Sequence, residues 1–152
     1  MSGKKFRFSL QSVLDLREYE SESARHALSH AVRARREQEQ KIERMEERLD
    51  ELNRKAPDPG QADLRTLRRF DAFRSHLRHQ CDRARKKLAA LRDDEQAARD
   101  AWMEKRQNEE RLHTLREQEE SAHRQDVTAS NIDFMDEQAV LRFNRTNRST
   151  LL

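Results

Sequence analysis

Ala56-Pro57-Asp58-Pro59-Gly60 decides the fold, because it gathers both prolines and one of the two glycines of the chain into five residues. Proline lacks an amide donor and its ring clashes with the preceding turn, so no helix runs through this stretch. Asp58 followed by Pro59 reads as a cap with proline at the first helical position, which places the start of a second helix near residue 59. Upstream, Leu10, Leu14, Arg17, Ser21, Ala24, Leu28, Ala31, Arg35, Gln38, Ile42, Met45, Leu49 and Leu52 follow one another by fours and threes, and nine of these thirteen are apolar. Downstream the rhythm resumes at Leu67, Phe70, Arg74, Leu77, Cys81, Ala84, Leu88, Leu91, Glu95, Ala98 and Trp102. Two heptad rows joined by one turn imply an all-α chain, a long antiparallel two-helix coiled-coil hairpin.

The expected organisation is a single domain over residues 1–152. Helix one runs over about 8–55, the turn over 56–60 and helix two over about 59–124. Beyond Trp102 helix two outruns helix one, with no partner segment in the chain. A break is expected at Thr128-Ala129-Ser130-Asn131, then a short amphipathic segment over 132–143 capped by Asp133, then a disordered tail. Each arm would measure roughly 65 Å at 1.5 Å per residue.

Charge supports the antiparallel pairing. Residues 1–36 carry net +4, 37–60 carry −3, 61–92 carry +7 and 93–137 carry −8. Folding at the turn sets +7 beside −3 and +4 beside −8, whereas parallel arms would oppose +4 and +7. Facing a and d positions then allow partners whose numbers sum to about 112 or about 119. The first is favoured, because it sets Leu28 against Ala84, Ala24 against Leu88, Arg17 against Glu95 and Gln38 against Arg74. It leaves Arg35 and Gln38, facing Leu77 and Arg74, as a weak polar centre.

Charged residues make up 40% of the chain and hydrophobic ones 34%, too few apolar side chains for a globular core of this length. The single cysteine, Cys81, rules out an intrachain disulfide. No apolar run nears the roughly 20 residues that span a bilayer, and the start lacks the apolar stretch of a signal peptide. These features point to a soluble, cytoplasmic chain with no membrane span.

Nothing in the pattern supports catalysis or a cofactor: there is no glycine-rich phosphate loop, and the many carboxylates fall on solvated helix faces. His26 with His30, and His76 with His79 and Cys81, have spacings that can ligate zinc, but no further ligand falls at a matching turn, so surface histidines are expected rather than a metal site. The basic run Arg65 to Lys87 could neutralise phosphates. It is read instead as a solvated face balanced by acids elsewhere in the chain, without nucleic-acid binding. Phe73 in helix two, and Val13, Leu16 and Tyr19 in helix one, fall off the seam. They are either a widened core near the ends or docking surfaces for other proteins.

Phe6-Arg7-Phe8-Ser9-Leu10-Gln11-Ser12-Val13-Leu14-Asp15-Leu16-Arg17-Glu18 resembles the start of the flagellar export family FliJ. Phe70-x-x-Phe73-x-x-x-Leu77 resembles that family's aromatic patch, Trp102-Met103-Glu104-Lys105-Arg106 its tryptophan segment, and Met135-Asp136-Glu137-Gln138-Ala139 its close. The resemblance implies a cytoplasmic hairpin, a monomer when alone, that serves type III protein export in flagellar assembly and motility. It further implies a central stalk in a hexameric export ATPase ring, contact with the membrane-embedded export gate on its cytoplasmic side, and recycling of export chaperones. Assembled, it would sit at the inner face of the cytoplasmic membrane. Carried over, Phe70, Phe73 and Leu77 would meet the gate, and Leu10, Val13, Leu14, Arg17 and Met135 the ATPase ring. Met45 and Leu49 stand where some relatives have aromatics, which leaves that half of the gate surface open. A flagellar and an injectisome system stay equally open, as do a generic coiled-coil scaffold and a basic nucleic-acid-binding coiled coil.

Overall fold

The computed structural model describes residues 5–149, with side-chain exposure described up to residue 146. Two helices make up the fold, α1 (Gln11–Arg54) and α2 (Leu64–Ser149). Neither contains glycine or proline, and strong helix formers dominate both. Lys55 and Ala56 close the last turn of α1 by donating to the carbonyls of Glu51, Leu52 and Asn53, and Pro57 then stops it.

The start of α2 differs from the expectation. The Asp58 carboxylate accepts the Gly60 amide at 2.9 Å, and its carbonyl accepts the amides of Gln61 and Ala62. Asp58 therefore folds the loop on itself, as aspartates do in turns, and is not a helix cap. The cap is Asp63, whose carboxylate accepts the Thr66 amide at 3.0 Å. That bond holds the Asp63 carboxyl below its ordinary pKa.

No break occurs at Thr128-Ala129-Ser130-Asn131, and no separate segment forms over 132–143, because α2 is continuous to Ser149. The Thr128 hydroxyl donates to the Arg124 carbonyl at 2.9 Å, so the side chain is satisfied inside the helix instead of interrupting it. Weak helix formers cost only about 0.5 kcal/mol each, too little to break a helix that holds no glycine or proline. Residues 144–149 of the expected disordered tail are helical, and 150–152 lie outside the described residues.

Contacts group the described residues into two compact units, 20–105, and 5–19 with 106–149. In the first, α1 and α2 run antiparallel, with Glu20 reaching Lys105, Glu39 reaching Arg92 and Glu46 reaching Arg85. These pairs overturn the favoured register. Arg35, which it sets opposite Leu77, bonds Glu95 about five helical turns further along. Arg17 and Glu95 are likewise not partners across the seam. Partners summing to about 126 fit the cross-helix bonds and set Ile42 opposite Ala84, Leu49 opposite Leu77 and Ala24 opposite Trp102. Ile42, Leu77, Cys81 and Ala84 are buried along this seam. The size-matched alternatives failed because charge decides: the register that forms is the one that gives the seam's Arg35 a carboxylate.

The polar centre is also not bare. Arg35 bridges Glu95 and Glu39, Arg99 holds the other Glu95 oxygen at 2.8 Å, and the buried Gln38 amide donates to the Ala84 carbonyl at 3.0 Å. No buried side-chain polar atom among the described residues lacks a partner.

In the second unit, α2 past Trp102 does have a partner. Leu14 is fully buried and Phe8 nearly so, the Phe6 ring lies 5.7 Å from that of His123, and Glu18 reaches His113 at 3.2 Å. The extended residues before α1 supply the apolar cover that heptad counting, which begins at Leu10, does not register.

Leu14→Ala should cost about 3 kcal/mol by leaving a cavity, read as a lowered urea midpoint, while Tyr19→Ala, at a site 72% exposed, should change it little. Acid should weaken the fold in a set direction. Hydrogen bonds from Arg92 and Arg35 lower the Glu39 pKa, as Thr66 lowers that of Asp63. Their stabilisation is present above the unfolded carboxylate range of about 4 and is lost as pH falls through the lower folded values. Thermal melts should therefore drop below about pH 4 and stay level from there to neutrality.

Candidate functional site

Three surfaces offer themselves, each built on a helix. The first is at the start of α2. Asp63 fixes the first turn, and the Arg74 guanidinium lies 5.7 Å from the Phe70 ring centroid while pairing with Asp71 at 2.8 Å. Phe70 is half-buried beneath this cation, Phe73 is 43% exposed, and Leu77 is buried. Phe73 is therefore the most exposed of the three, and Leu77, one turn further on, is buried. Leu64, also exposed, adds an apolar neighbour on the first turn of α2.

The second surface lies in the other unit. Leu10 and Val13 sit at the boundary of exposure, Leu16 and Tyr19 are open, and Leu14 is buried under them. Arg17 is half-buried and engaged with the rest of the chain. On α2, Met135 is 71% exposed, and Ile132, Phe134, Val140, Leu141 and Phe143 are exposed with it. Ile132, Met135, Ala139 and Phe143 recur at helical spacing along one face, and Phe134 and Leu141 along another, so this part of α2 is apolar on more than one side. A solvated helix end has no reason to carry so much apolar surface unless something covers it.

The third surface is charged. Arg85 and Arg92 carry the cross-helix pairs to Glu46 and Glu39. Within the basic run the cross-helix balance reaches Arg85, and Arg74 is held locally by Asp71. Arg65, Arg68, Arg69, Arg78, Arg83, Lys86 and Lys87 make no ion pair among the described residues and are exposed.

Of the histidines considered as ligands, His26 contacts Glu22 at 3.2 Å, His76 bonds Gln80 at 3.0 Å, and Cys81 is buried in the seam. Among the described residues, the donors that converge are instead Glu18, Glu109 and His113, within 4.8 Å of one another. His113 Nε2 lies 3.2 Å from Glu18 and 3.6 Å from Glu109, so one ring nitrogen faces two carboxylates. Sequence reading misses this group because its members meet only once the pairing of α1 with α2 is known.

The fold is an all-α coiled-coil hairpin that exposes apolar and basic surfaces. The chain belongs to the FliJ family: the family described as Flagellar FliJ protein matches residues 6–148, nearly its whole length. Membership places it in flagellar assembly and protein export, in a family of non-catalytic proteins. No curated protein and no solved structure gives a significant match. No helix among the described residues is long and apolar enough to cross a membrane.

Glu95→Ala should lower the melting temperature more than Glu46→Ala, because Glu95 is buried and holds two arginines while the Glu46 pair is open to water. Equal losses in the two variants would show that the polar layer contributes no more than a surface pair.

Proposed function

We propose that the chain acts in the cytoplasm as the central stalk of a hexameric export ATPase, contacts the cytoplasmic part of the export gate, and hands on export chaperones. The observation that carries this reading is the family match over residues 6–148, with the exposed apolar clusters supporting it. Leu10, Val13 and Met135 would meet the ATPase ring, with Arg17 beside them and Leu14 beneath. Phe73, flanked by Phe70 and supported by Leu77, would meet the gate, which holds the chain at the inner face of the membrane during export. An exposed aromatic contributes little to folding yet can supply about 2 kcal/mol or more at an interface.

Phe73→Ala should leave the melting temperature nearly unchanged while weakening capture by the gate's cytoplasmic domain and reducing export. Leu77→Ala should do the opposite, destabilising the hairpin first. A Phe73→Ala protein that melts several degrees early would mark the residue as core, and one that is stable and fully active would remove the patch from the gate. Sedimentation of the purified chain tests the scaffold reading, since a stalk should run as a monomer and a scaffold coiled coil as a dimer or filament.

A further inference from the structure

Opposite the seam, the outward face of α2 between Arg65 and Lys87 is a line of cations. Arg65, Arg69, Arg83 and Lys86 occupy heptad positions directed away from α1, with His76 and His79 on the same face between them, and all are exposed. Arg68 and Lys87 stand at its margins, also exposed. None of these arginines and lysines has an ion-pair partner among the described residues. The two acids of the stretch do not offset them: Asp71 is held by Arg74 at 2.8 Å, and Asp82 lies 3.6 Å from Arg85. Like charges left unpaired along one helix repel one another and weaken the helix they sit on. Their free state is the less stable one, and an anionic surface relieves it.

We propose that this face binds an anionic lipid surface through the headgroup phosphates. The line is about 33 Å long and straight, as a helix is, so it can lie flat on a plane. Its outward cations are unevenly spaced, clustered at 65–69 and 83–87, with only Arg78 exposed and unpaired on the flank between them. A folded protein would have to match that spacing with fixed acids, whereas lipid headgroups diffuse to wherever charge calls them. The outward positions between the cations hold Ala72, Ser75 and Asp82 and no aromatic, which excludes base stacking as the source of affinity, and no apolar row is present for a partner helix. Leu64, exposed at the edge of the face, can dip into the headgroup layer. The inference goes beyond the proposed export role and uses none of its partners.

The test is sedimentation of the full chain with vesicles of phosphatidylcholine alone or with one third phosphatidylglycerol, at low and high salt. Binding is expected to the anionic vesicles only, and to weaken as salt rises. Each of Arg65→Gln, Arg69→Gln, Arg83→Gln and Lys86→Gln should weaken it about fivefold, and the quadruple variant at least about a hundredfold. The double variant Arg85→Gln, Arg92→Gln, which removes cations already paired with Glu46 and Glu39, should stay within about threefold. Helical circular dichroism should be retained in all of them, since every outward residue replaced is exposed. Equal binding to neutral vesicles, no binding to anionic ones, or a quadruple variant that binds as the parent does would overturn the proposal. So would tighter binding to duplex DNA than to the vesicles, which would make nucleic acid the occupant.

Discussion

Arg35 occupies a seam position where a coiled coil ordinarily holds an aliphatic side chain, and the pairing of the two helices is organised around giving it carboxylates. Glu95 comes from the opposite helix and Glu39 from its own, while Arg99 secures the second Glu95 oxygen. A heptad slide in either direction would leave this guanidinium beside apolar side chains and strand Glu95 at the buried edge of the interface. Uncompensated charge in such a place costs more than several mismatched alanines and leucines. The outer pairs of Glu39 with Arg92 and Glu46 with Arg85 then fall into place as consequences of the same alignment.

That dependence explains what is legible in the sequence and what is not. Alternation by threes and fours, interrupted once at Ala56 to Gly60, is enough to recognise a hairpin, because helical periodicity is a local property of the chain. Register is not local. Matching large with small residues gave several acceptable slides, and the discriminating contact joins residues sixty positions apart. The helix boundaries failed for a smaller reason. Asp58 before Pro59 reads as the cap, and only the loop geometry shows that it turns the chain while Asp63 opens α2.

The candidate surfaces divide in the same way. Phe73 could be found in advance because its heptad position leaves it off the seam, whereas Leu77 and Leu14 carry seam positions and prove buried. The meeting of Glu18, Glu109 and His113 could not be found before the pairing was known. The basic run was visible as composition, but which of its cations find partners, Arg74 and Arg85, is a property of the folded pair. Apolar patches at Leu10 to Tyr19 and Ile132 to Phe143, and the cationic face between Arg65 and Lys87, thus give a single chain contact surfaces of unlike chemistry.

Cys81 lies in the seam, 2% exposed, a few residues from the buried Leu77 and Ala84. A thiol in that place can meet a reagent from solvent only while the two helices are parted around it. Its alkylation rate is therefore a built-in clock for local opening of the hairpin: with opening and closing fast, the rate divided by that of a free thiol gives the fraction of time the seam stands open. Because the chain holds no other cysteine, the signal needs no engineering and carries no background. The same reading taken with a ligand present would tell whether engagement clamps the two helices together or prises them apart.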